Sequence, residues 1–325
     1  MRGRLRSLIF AGALTAVLLT GRSASAYVRS VSDIGAPLYW QSSCETVTVY
    51  LNGFTAMTPD EVAKSIGAAA AAWGPDSVTC PAATGDAGNG HPYFEIITEL
   101  SNDTGSPGIG IAGKNSIIFQ TTAWTEDGAA LALTSVYKEA DGHIVDADIE
   151  INATVPGGIA WANLDPGAPP PEHGILRYDL QTVMTHEFGH FLGLAHTCID
   201  PNGSAGDGNN TPSNATDDQG VQVPSCAAAG TKQVEAVMWY EVDPESIAKR
   251  ALTPDDVRGI CAIYPPTADP HSCTENLPDD GCGCAVQGTT ARTRAGRLAG
   301  FAFAASALVL VRRRRARRRR SGSTR

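Results

Sequence analysis

Basic side chains are nearly missing from the body of this 325-residue chain: residues 27 to 291 hold nine of the 25 Lys and Arg but all 34 Asp and Glu, a formal charge of −25. Such a field repels phosphate backbones and anionic lipid. Nucleic acid and membrane surfaces are therefore excluded as partners of the body, while cationic substrates and Ca²⁺ are favoured. None of the eight cysteines stands in a C-x-x-C pair, which excludes a zinc ribbon and leaves disulfides as their expected use. Nor does the apolar run near the C-terminus, Leu298 to Val311, reach bilayer length. It rises about 21 Å as a helix against a hydrocarbon core of roughly 30 Å. No internal repeat is present, so a solenoid or propeller is excluded.

The two ends read as targeting segments. Arg2, Arg4 and Arg6 precede an apolar stretch from Leu8 to Leu19 and then Ala24-Ser25-Ala26, the pattern of a signal peptide cleaved before Tyr27. At the other end, Cys282 and Cys284 are followed by a polar spacer, the short apolar run and an arginine cluster from Arg312 to Arg320. That order resembles the myxobacterial C-terminal sorting signal, and the arginines are expected to stay on the cytoplasmic side. A permanent single-pass anchor is the alternative. The expected division is residues 1–26 signal, 27–266 main domain, 267–297 Cys-containing linker, 298–311 hydrophobic segment and 312–325 Arg-rich tail. In an exported chain, sequence-order pairing gives Cys44 with Cys80, Cys198 with Cys226 and Cys261 with Cys273, one connectivity among many.

The most specific pattern is His186-Glu187-Phe188-Gly189-His190-Phe191-Leu192-Gly193-Leu194-Ala195-His196. His186 and His190 are spaced i,i+4, so a helix projects both imidazoles from one face towards a single ion. Gly193 lets the backbone leave the helix through a conformation that a Cβ resists, and the turn returns His196 as a third ligand. Three neutral histidines leave a fourth tetrahedral position open, the arrangement of a catalytic rather than a structural Zn²⁺. Glu187 sits beside them without being needed as a ligand.

Asp179 is the expected N-cap of this helix, with Leu180, Val183, Met184, Phe188, Phe191 and Leu192 giving its apolar face. Thr58-Pro59-Asp60-Glu61 and Thr253-Pro254-Asp255-Asp256 each combine an N-cap, an N1 proline and an N3 acid, predicting helices with Val62, Ile66, Ala69, Ala70 and Trp73 on the buried side of the first. Strands are predicted at Val47–Leu51, Phe94–Thr98, Ser116–Gln120, Ala130–Tyr137 and Asp146–Asn152. The layout is α+β, in a body long enough for one domain with a real core.

These residues resemble the metzincins, and His-Glu-Phe-Gly-His-Phe-Leu-Gly-Leu-Ala-His is similar to the matrixin (matrix-metalloprotease-like) branch. Val237-Met238-Trp239-Tyr240 resembles the Met-turn, and Leu252 to Ile260 with Ile263-Tyr264 resembles the last matrixin helix. The resemblance covers roughly residues 38 to 265. It implies a zincin-like fold with a twisted mixed sheet, a zinc helix and a C-terminal helix. It departs from the branch in the 41 residues between His196 and Met238, and in Leu133-Thr134 and Asp148, which stand where histidines of a structural zinc site are expected. No separate pro-domain with a cysteine switch is recognisable.

The expected function is that of a secreted or surface-attached zinc endopeptidase acting on protein or peptide substrates as a monomer. Zn²⁺ on His186, His190 and His196 would activate water, Glu187 would serve as general base, and Met238 would form an apolar floor. Tyr240 is placed to donate to the oxyanion, to ligate zinc, or simply to pack in the turn. A peptide is expected to add to the edge strand near Leu131 to Val136. Asp200, Asp207, Asp217 and Asp218, with Asn209 and Asn210, gather oxygen donors suited to a structural Ca²⁺. The competing reading is a zinc-containing surface binding or adhesion protein without turnover, against which Glu187 argues.

Overall fold

β-Branched residues at every second position, as in Val47-Thr48-Val49, put one apolar edge into a core and leave the other side half-solvated. This period-2 pattern builds the central sheet. The computed structural model describes residues 27–81, 90–103, 105, 108–111, 113–125, 130–154, 159–167, 176–199 and 215–267. In chain order they form β1 (Val28–Arg29), β2 (Tyr39–Trp40), β3 (Cys44–Tyr50), α1 (Pro59–Trp73), β4 (Glu95–Leu100), β5 (Ser116–Gln120), β6 (Ala132–Lys138) and β7 (His143–Asn152). There follow β8 (Ile159–Ala162), β9 (Leu176–Asp179), α2 (Leu180–Phe191), β10 (Leu194–Ala195), α3 (Thr231–Glu235) and α4 (Pro254–Ile263). All belong to one compact unit, Met1–Pro278. The signal-like segment and the C-terminal tail lie outside the described residues, and no described helix is long and apolar enough to cross a membrane.

The sheet runs β4-β3-β5-β7 in parallel, with β2 pairing in parallel at the start of β7 and β6 antiparallel along most of it. A parallel pair needs a crossover, and α1 supplies it between β3 and β4. Thr58 caps α1 by accepting from the Glu61 amide at 3.3 Å while Glu61 Oε2 accepts from the Thr58 amide at 2.8 Å. The helix buries Val62, Ile66, Ala69, Ala70 and Trp73, the side anticipated from spacing. Thr253 and Asp256 repeat the capping box on α4. Along β7, Ala147, Ile149 and Ile151 enter the core. On its opposite face Asp148 accepts from the amides of Gly110 at 2.6 Å and Ser116 at 3.0 Å. The carboxylate therefore ties down the 108–116 segment directly. Burial pushes its pKa up to about 6 despite those donors.

Most strand positions agree with expectation, although β4 and β6 each start one or two residues later than predicted and β3 and β7 each start three earlier. The short pairs β1 with β10 and β8 with β9 were not anticipated, because two to four residues show no measurable period. Disulfide pairing needs correction. Cys198–Cys226 forms as expected, but Cys80 bonds Cys261, so neither Cys44–Cys80 nor Cys261–Cys273 exists. Cys44 is also disulfide-bonded. Sequence-order pairing assumes that neighbours in the chain are neighbours in space. Here the segment after α1 returns beside α4, 181 residues on.

Closing so long a loop removes much of the freedom of the unfolded chain. Replacing Cys80 and Cys261 together with alanine should lower the unfolding free energy by about 2–5 kcal/mol in a urea titration. An unchanged midpoint and slope would show that the cross-link contributes nothing to holding the last helix.

Candidate metal centre

Helix α2 carries polar chemistry through the core. All of its residues but Gln181 are buried, including His186, Glu187 and His190. Its start is fixed by Asp179, which ends β9 and accepts from the Thr182 amide at 2.8 Å. Arg250 grips the same carboxylate, with Nε 2.8 Å from Oδ2 and Nη2 2.5 Å from Oδ1. Burial alone would raise the Asp179 carboxyl, but Arg250 and the amide donors overcome it and hold it below the usual carboxylate range. Along the helix, Trp73 Nε1 donates to the Thr185 carbonyl at 2.8 Å, and at the C-terminal end Trp40 Nε1 donates to the Phe191 carbonyl at 2.7 Å. Tyr264 closes the end by donating to the Leu192 carbonyl at 3.1 Å.

The turn after the helix requires glycine twice over. Gly193 has φ +96°, and a Cβ there would lie 2.8 Å from the Leu38 carbonyl oxygen. The Ser30 amide donates to its carbonyl at 2.9 Å, and β1 pairs with Leu194–Ala195. That pairing presents His196 to the two helix histidines.

The three imidazoles converge through Nε2. His186 and His190 Nε2 are 3.0 Å apart, and His186 and His196 Nε2 are 3.2 Å apart. His186 Nδ1 donates to the Val237 carbonyl and His190 Nδ1 to the Leu194 carbonyl, both at 2.8 Å. A carbonyl only accepts, so Nδ1 carries the proton in both rings and each Nε2 of a neutral ring presents a lone pair. Burial, reinforced by neighbouring imidazoles, keeps His186 and His196 well below the ordinary histidine range, and burial brings His190 down to about 4. Lone pairs this close repel unless a cation lies among them. Two donors bound about 2.0–2.1 Å from one tetrahedral ion stand about 3.3 Å apart, so the set fits a metal of zinc's size and ligand preference. Among the described residues it is the one cluster of three or more His, Cys, Asp or Glu groups able to hold a metal.

Glu187 is 5% exposed and lies outside the donor set. Burial pushes its carboxyl up to about 7, against the opposing effect of the Thr134 hydroxyl 2.6 Å from Oε2. Met238 packs beneath the helix at Gly189, where a Cβ would stand 2.1 Å from Met238 Sδ and 3.0 Å from Trp73 Cζ2. The Tyr240 ring lies 6.4 Å from that of His196. The structure thus gathers His186, His190, His196, Glu187, Met238 and Tyr240 in one place.

Of the oxygen donors anticipated in the insert, Asp217 and Asp218 are among the described residues. Asp217 Oδ1 accepts from the amides of Gln219 and Val221 and so shapes a local turn, and Asp218 interacts with Tyr27. Asp200, Asp207, Asn209 and Asn210 lie outside the described residues. Sequence reasoning missed Thr134, Arg250 and the carbonyls of Val237 and Leu194. A backbone carbonyl carries no side-chain signal, and Thr134 attracted notice only as a position without a histidine.

No family model and no curated protein matches this chain. Among solved structures it is similar to one described as "Structure of myroilysin", at 15% identity over 70% of this chain and 95% of that chain, with a TM-score of 0.29.

Since Gly189 leaves no room for a side chain, Gly189→Ala should push α2 away from Met238 and Trp73. Overpacking of this kind typically costs about 1–3 kcal/mol. Thermal unfolding should show the loss, together with weaker zinc retention against a chelator; a variant with wild-type midpoint and retention would contradict this packing.

Proposed function

We propose that the chain is an exported zinc-dependent endopeptidase of matrixin-like type, with His186, His190 and His196 holding the metal and Glu187 serving as the general base. The observation that carries this reading is the separation of roles inside one buried site: three imidazoles that converge, two of them with the tautomer fixed by a backbone carbonyl, and a carboxylate left out of the donor set. A purely structural metal site has no use for that carboxylate. When bound, zinc supplies Lewis acidity and eases deprotonation of water.

The protein's own groups perform the remaining steps. Glu187 accepts a proton from the attacking water as its oxygen bonds to the scissile carbonyl carbon, and then delivers that proton to the leaving nitrogen as the C–N bond breaks. Its carboxyl, pushed up by burial to about 7, is matched to both taking and giving a proton near neutrality. Tyr240, beside His196, is assigned to donate its phenolic proton in a hydrogen bond to the carbonyl oxygen as charge develops there. Among the described residues β6 pairs only with β7, leaving its outer edge open to an extended peptide. The formed disulfides fit an oxidising compartment. Export through residues 1–26 and processing of the tail near Cys282 or Cys284 complete the reading.

Casein digestion by the mature protein, with and without a zinc chelator, tests this directly. Glu187→Gln should keep close to one zinc per chain and lose roughly 10²–10⁴-fold in kcat, whereas His190→Ala should lose the metal itself. Normal proteolysis by Glu187→Gln would sink the mechanism. Zinc-loaded wild-type protein that cleaves no protein substrate would instead favour the binding-protein reading.

A further inference from the structure

We propose that Thr134 is a positioning residue for Glu187, holding the general base from the same strand on which the substrate is laid. The inference rests on the protease reading above and adds a residue that the histidine pattern does not contain. Thr134 lies in the middle of β6 and is 4% exposed. Its hydroxyl stands 2.6 Å from Glu187 Oε2 and 3.3 Å from the Glu187 backbone oxygen. A hydroxyl has one proton to give, and the shorter contact has the length of a charge-assisted hydrogen bond.

The surroundings show why a hydroxyl matters at this position. The same-face neighbours on β6, Ala132 and Val136, are apolar and pack against the core. A valine would satisfy that packing equally well, whereas a buried hydroxyl is costly unless it is bonded. The Glu187 carboxylate compensates it. In return Oε2 is anchored, the side chain loses freedom to rotate, and Oε1 is left as the oxygen free to meet water. Since β6 also pairs with no strand but β7 among the described residues, a peptide pairing with its outer edge is docked on the element that orients the base. Substrate register and base orientation are thereby set by one strand.

The test compares zinc-loaded full-length Thr134→Val, which keeps the shape but loses the hydroxyl, with Thr134→Ser, which keeps the hydroxyl, on a peptide that the wild type cleaves. Thr134→Val should lose roughly 10–100-fold in kcat, with KM and zinc content within about twofold of wild type. Thr134→Ser should recover kcat to within about threefold. An unchanged kcat in Thr134→Val, or a serine variant as slow as the valine one, would overturn the proposal. A stability cycle with Glu187→Ala checks the contact independently of turnover: Thr134→Val should cost less in the Glu187→Ala background, and equal costs would also overturn it. If the wild type itself cleaves nothing, the protease reading fails and the positioning role falls with it. If the wild type cleaves and Thr134→Val keeps its full rate, this inference alone falls.

Discussion

Nitrogen lone pairs aimed at one another are unfavourable, and most of this structure can be understood as the means of keeping three of them together. Each helix histidine donates its Nδ1–H in a hydrogen bond to a fixed carbonyl, Val237 for His186 and Leu194 for His190. Burial disfavours the alternative of protonating the rings. The repulsion is therefore retained as readiness for a cation, and the polypeptide around it must be rigid enough not to relax.

Rigidity comes from satisfying a buried helix at both ends. At the start of α2, Asp179 is held by Arg250 and by the first-turn amides, so the carboxylate remains ionised in the interior. At the other end, indole and phenol donors from Trp40 and Tyr264 take carbonyls that would otherwise be orphaned. Gly193 redirects the chain, and the N-terminal strand β1 seals the returning segment. These partners come from residues 28 to 264, so the site depends on the whole domain rather than on its motif alone.

The parallel sheet plays a complementary part. Its core face supports α1 and α2, while the antiparallel edge strand β6 passes close enough for Thr134 to touch Glu187. Burial is what raises the Glu187 carboxyl towards neutrality, yet a buried carboxyl group needs a hydrogen-bond partner. One threonine on a neighbouring strand reconciles these demands without adding a charge.

Local chemistry was readable wherever the effect acts within a few residues. Helix α2 followed from i,i+4 histidines and an apolar stripe, α1 and α4 from capping boxes and N1 prolines, and most strands from alternation. The convergence of His186, His190 and His196 into a cluster that could hold a metal was readable too, because they lie within eleven residues and a helix followed by a glycine turn suffices to join them. Long-range partners were not. The pairing of Cys80 with Cys261, the clamp of Arg250 on Asp179 and the contact of Thr134 with Glu187 join positions between 53 and 181 residues apart. Sequence by itself therefore determined the segments and which histidines come together, since backbone propensity and periodicity are local. Which distant groups orient those histidines was decided by packing, since that depends on how one sheet and its helices share a single core.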